Sequence, residues 1–149
     1  MTKAERQVSI FIAHARSLLG ARWRHRGRKP WALDCVGLLY LSARAAGWPV
    51  TDQKYYGREP WADRLRKELK QQCGSPLSKE EEWKEGDVAL ICWRGKEPTH
   101  VGIIANYIYG GLSLIHCENI NGCVEQFIDD SFRNCIIEVY RPCAKYCQL

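Results

Sequence analysis

Apolar side chains at Val8, Phe11, Ile12, Ala15, Leu18 and Leu19 recur three or four positions apart, the spacing of one helix face. Thr2 with Glu5 three residues on has the form of a capping box, so a first helix is predicted to run from there to Gly20. From Ala21 to Ala32 arginine and tryptophan alternate around Gly27 and Pro30 without an apolar face, which reads as a loop. Asp34 is a good N-cap residue for the apolar run from Val36 to Ala46, and Gly47 with Pro49 beyond it ends that second helix. A third helix is predicted from Pro60, with Trp61, Leu65 and Leu69 on one face and Gly74 past its end.

Beyond Glu85 the period changes from helical to strand-like. DVALICW, HVGIIANYI, LSLIHCE, GCVEQFI and CIIEVYR are short β-prone runs separated by turn residues, and they predict an antiparallel sheet of about five strands. Helices first and strands afterwards give an α+β domain in which the N-terminal helices pack on the C-terminal sheet. At 149 residues the chain is predicted to be a single domain over 1–149, with no internal repeat.

Composition narrows the function classes. No run approaches the roughly 20 apolar residues that cross a bilayer, and Glu5, Arg6, Gln7, His14 and Arg16 interrupt the pattern of a secretory signal. The expectation is synthesis in the cytoplasm without a signal peptide, and no membrane insertion. Eight cysteines in such a setting read as free thiols, mostly in the core. Only Cys143 with Cys147 and Cys117 with Cys123 approach a ligand or bridge spacing, so neither a metal nor a cofactor is expected. Between Glu5 and Asp34 there are six arginines and Lys29 but no acid, and RWRHRGRKPW would suit an anionic partner. The run is too short for a dedicated nucleic-acid face, and no nucleic-acid partner is expected.

One constellation carries chemistry. Cys35 falls in the first turn of the second helix, where unpaired N–H groups and the helix dipole favour a thiolate and can hold an oxyanion. A buried sulfur after an N-cap is the plainer alternative, and the nucleophile reading needs a base. His100 opens one strand and His116 lies on the next. A five-residue loop, Tyr107 to Gly111, would pair Asn106 with Leu112 and Gly102 with His116. The two histidines then sit diagonally on one sheet face, about 7 to 8 Å apart at the backbone, close enough for one imidazole to orient the other. Cysteine, histidine and a third polar group that sets the tautomer are the parts of covalent acyl transfer.

The words LLGARWRHRG, LDCVGLLYLSARAAGWP, WKEGDVALICW, THVGII and LIHCEN, in this order from about Ala15 to Cys117, resemble the NlpC cell-wall cysteine peptidases, compact relatives of papain. The resemblance implies a papain-like fold, with Cys35 as nucleophile, His100 as general base and acid, and His116 as its orienting partner. It implies hydrolysis of an amide in the peptidoglycan stem peptide, often after a γ-linked D-glutamate. It further implies that Asp34 and Trp23 contact substrate. In the family pattern a tyrosine stands where this chain has Trp23, and a serine where it has Val36.

The Asp-Cys-x-Gly-Leu form without a signal is similar to enzymes of phage tails, which implies tail proteins as partners and action at the wall after delivery. Two alternatives accompany this reading: a catalytically inactive tail-assembly or adaptor protein of the same fold, and an antibacterial amidase effector.

Overall fold

Thr2 accepts from the Glu5 N–H, and Glu5 returns a bond to the Thr2 N–H, closing the predicted capping box at the start of α1 (Lys3–Ser17). This computed structural model describes residues 1–57, 62–93 and 99–147. After α1 come β1 (Arg22–Trp23), β2 (Arg28–Lys29), β3 (Ala32–Leu33), α2 (Cys35–Ala45) and α3 (Ala62–Cys73). The second half holds β4 (Val88–Ile91), β5 (His100–Asn106), β6 (Leu112–Glu118), β7 (Gly122–Phe127), α4 (Asp130–Arg133), β8 (Ile136–Tyr140) and α5 (Pro142–Tyr146). The predicted start of the third helix at Pro60 and Trp61 lies outside the described residues.

The five later strands form one antiparallel sheet in the order β7-β6-β5-β4-β8. Asn106 pairs with Leu112 and Ile103 with Ile115, the register expected from a five-residue loop. Every β4 residue is buried, because the sheet is covered on both faces. Val88 and Leu90 face the helices with Ile103 and Ile115, in a core shared with Phe11, Leu33 and Leu38. Ala89 and Ile91, of opposite parity, join Ile104, Leu114 and Val139 under Phe132 of α4. Helices α1 and α2 pack together, and α2 lies across β5 and β6. The molecule is thus an α+β fold with its helices on a five-stranded antiparallel sheet. Among the described residues no helix is long and apolar enough to cross a membrane.

The segment predicted as a loop contains a small sheet. β3 pairs parallel with β1 and antiparallel with β2, two residues each. Strands this short leave no periodic signature, and their pairing is set by tertiary contact with α2. At Gly37, one turn into α2, an added Cβ would stand 2.3 Å from the Gly27 carbonyl, so only glycine lets the strand segment lie against the helix start.

One cysteine pair departs from the expectation of free thiols. Cys143 and Cys147 are joined as a disulfide across one turn of α5. Cys117 and Cys123 are free and face each other across the β6–β7 ladder, where the hairpin register explains their spacing.

Candidate active site

Asp34 caps α2 as predicted: its Oδ1 accepts from the Gly37 N–H at 2.8 Å, which puts Cys35 in the first helical turn. The carboxylate also accepts from Arg28 Nη1 at 3.1 Å on Oδ1, from the Arg26 N–H at 2.9 Å on Oδ2, and from the Tyr56 hydroxyl on Oδ2. Four internal donors therefore occupy about as many lone-pair sites as a carboxylate has. Arg28 is clamped further by Asp52 Oδ1 at 3.0 Å and the Tyr56 hydroxyl at 3.1 Å. Burial works against the charge on Arg28, but these partners outweigh it and raise its pKa. The arginine-rich stretch thus spends Arg28 inside the protein, tying the segment after α2 to the N-terminus of α2.

Cys35 is buried, at 8% exposure, and lines a pocket of about 160 Å³ with Trp23, Asp34, Tyr56, Trp93 and His100. The helix start is predicted to lower the thiol pKa; the structure places it in the opposite direction. Burial, then the neighbouring Asp34 carboxylate, push it up to about 12, although the N–H groups of Val101, Val36 and Cys35 itself point at the sulfur and favour the thiolate. Desolvation wins because Cys35 is buried, a property that helix position alone does not reveal.

His100 begins β5 and reaches the pocket over the end of the sheet. Its Nε2 lies 2.9 Å from His116 Nδ1, the contact expected from the hairpin register. Burial and then His116 lower the His100 pKa to about 3, so its imidazole is neutral at physiological pH. His116, itself lowered by burial, does not line the pocket but stands behind His100. The Trp93 ring centroid is 5.7 Å from that of His100 and 6.5 Å from that of His116, and the Phe132 ring meets His116 edge-on at 5.9 Å. Among the described residues no hydrogen bond joins Cys35 to His100. The resting arrangement is a neutral thiol and a neutral imidazole on one pocket, with the second imidazole holding the first.

Three contributors escape the sequence reading. Tyr56 sits between helices and brings a phenol to the pocket where Trp23 has none, with a pKa raised by burial and by Asp34. Trp93 ends a strand run and shows no periodic reason to cover a site. Gln126, whose Oε1 is 3.1 Å from His116 Nε2, was legible: β7 pairs Val124 with His116, which makes Gln126 a diagonal neighbour by the same parity rule that joins the histidines. Among the described residues no group of three or more His, Cys, Asp or Glu side chains is placed to hold a metal ion.

No family model and no curated protein matches the chain. Solved structures do. An NlpC/P60 family protein from Bacillus cereus ATCC 10987 superposes with a TM-score of 0.64 at 14% identity, over 90% of this chain and 39% of that one. NlpC1 from Trichomonas vaginalis gives 0.60 at 16%, over 93% and 43%. The NlpC/p60 domain of peptidoglycan hydrolase SagA gives 0.55 at 19%, over 89% and 97%. The chain thus spans well under half the length of the first two and nearly all of the third. At these identities the likeness establishes the fold, which is the papain-like one of NlpC/P60 structures.

Proposed function

We propose that this protein is a cysteine peptidase or amidase that cleaves an amide bond in the peptidoglycan stem peptide. The observation that carries the reading is His100, hydrogen-bonded to His116 behind it, standing on the same pocket as a cysteine in the first turn of a helix. The fold shared with structures that include a peptidoglycan hydrolase domain supports it.

In this reading the neutral His100 takes the thiol proton on Nδ1 as Cys35 Sγ attacks the scissile carbonyl, and the backbone N–H groups at the start of α2 hold the oxyanion. The imidazolium then protonates the departing amine, leaving a thioester. His100 next removes a proton from water, which attacks the thioester carbonyl and releases the acid with the thiol restored. Burial that disfavours charge on His100 makes its imidazolium a strong acid, which favours proton delivery to the amine. Trp23 walls the pocket and packs against substrate. Asp34 contacts a substrate amine only by exchanging one of its four internal donors, so its first role is to hold Cys35 in place. Delivery by a phage tail, with tail proteins as partners, rests on the form of the Asp-Cys-x-Gly-Leu word.

A second reading, a non-catalytic adaptor of the same fold, is favoured by the burial and raised pKa of Cys35. One experiment separates them. Purified peptidoglycan incubated with the protein is expected to release new amino groups, identified by mass spectrometry of the fragments, and Cys35→Ala is expected to abolish the release. Intact peptidoglycan from several cell-wall chemotypes after treatment with folded wild-type protein would overturn the enzyme reading in favour of the adaptor.

A further inference from the structure

The chain of polar contacts behind the pocket does not end at His116. Gln126 stands two residues beyond Val124, the cross-strand partner of His116, so its side chain shares the face of the two histidines. Its Oε1 lies 3.1 Å from His116 Nε2, while His116 Nδ1 lies 2.9 Å from His100 Nε2. With the Gln126 amide oxygen turned toward His116, these two contacts assign the protons.

An amide oxygen only accepts, so His116 Nε2 carries a hydrogen. A neutral imidazole has one N–H, which makes His116 Nδ1 an acceptor, and the contact to His100 is a hydrogen bond only if His100 Nε2 donates. His100 in turn has one N–H, now used, and its Nδ1 keeps a lone pair. Among the described residues that nitrogen has no hydrogen-bond partner. With the Gln126 amide turned over, its NH2 would donate to His116, every proton along the chain would move by one nitrogen, and His100 Nδ1 would bear a hydrogen. Such a ring cannot take a proton from a thiol.

We propose that Gln126 is a positioning residue that fixes the tautomers of His116 and His100, so that His100 presents an unprotonated Nδ1 to the Cys35 pocket. Its role for catalysis rests on the reading of Cys35 and His100 as nucleophile and base; the tautomer assignment does not. Gln126 is exposed as a whole residue whereas His116 is buried, so the glutamine is a solvent-side latch on an interior pair. Gln126 belongs to neither apolar core, so its variants are expected to fold, which circular dichroism checks.

The test is the nitrogen spectrum of the full chain with 15N-labelled histidine side chains, recorded for the wild type, Gln126→Leu and Gln126→Glu. The expected result is hydrogen on Nε2 of both His100 and His116 in the wild type, retention of that pattern with the acceptor-only carboxylate of Gln126→Glu, and mixed tautomers in Gln126→Leu. Hydrogen on His100 Nδ1 in the wild type, or an unchanged pattern in Gln126→Leu, would overturn the assignment. On peptidoglycan, Gln126→Leu is expected to lower kcat about tenfold at unchanged KM, with rescue by Gln126→Glu, as for loss of an aid to general-base catalysis. A merely structural role would move neither the tautomer pattern nor the rescue. If the expected spectra accompany a wild type that leaves peptidoglycan intact, the tautomer assignment stands and the enzymatic reading falls.

Discussion

Two polar clusters meet at Cys35, and they are built on opposite plans. Around Asp34 every carboxylate lone pair has an internal donor, and Arg28 is shared among Asp34, Asp52 and Tyr56. Along His100, His116 and Gln126 each contact is single, and the chain ends in one ring nitrogen without a partner among the described residues. A saturated cluster has nothing left with which to react; it holds the start of α2 in place. An unsaturated chain holds one lone pair where a proton can move. In the proposed mechanism the difference separates positioning from chemistry, although both clusters contain buried ionisable groups.

The comparison breaks most severely if substitutions in the imidazole chain fail to affect activity. His100→Ala is expected to reduce peptidoglycan hydrolysis at least about 10³-fold while leaving circular dichroism and the urea midpoint near wild type, because it removes the acid and base together. A folded His100→Ala protein with appreciable turnover would end the proposed mechanism. Next in size is Arg28→Ala, which leaves the Asp34 and Asp52 carboxylates without their shared guanidinium. It is expected to cost about 3 kcal/mol in urea unfolding, as for a broken buried pair. A cost below about 1 kcal/mol, the level of surface pairs, would show that the Asp34 cluster is not the structural one.

His116→Ala comes third. It is expected to lower kcat by about ten- to a hundredfold, less than His100→Ala, since an orienting partner is removed and the base remains. Equal losses in the two variants would make His116 a full participant rather than a support. The smallest effect is on stability against pH. Burial lowers the His100 pKa from about 6.5 to about 3 and also lowers that of His116, so the unfolded chain binds more protons than the folded one inside that interval. This share of stability is complete above about pH 6.5 and is lost as pH falls toward 3. In a series of urea midpoints at pH 7, 6, 5 and 4, the decline is expected to be shallower in His100→Gln. An identical decline in both proteins would place the acid sensitivity elsewhere.

Much of this arrangement is legible in the sequence. The capping box at Thr2, the Asp34 cap and the five-residue hairpin that brings His100 to His116 all follow from local rules of hydrogen bonding and side-chain parity, which act over a few residues. The short strands between α1 and α2 leave a loop-like signature in the sequence because two-residue pairings carry no period. Tyr56 and Trp93 lie far from Cys35 along the chain and reach the pocket only once the helices have packed.

What the sequence by itself determined, then, is which side chains share a face and which one begins a helix, because backbone geometry repeats identically along each element. Only the tertiary structure decided how those groups are solvated. The N-terminus of α2 alone predicts an acidified thiol, but packing buries Cys35 beside Asp34, and desolvation in a low-dielectric interior outweighs the dipole of one helix. Charge state depends on everything within several ångströms in three dimensions, and no local pattern of residues contains that sum.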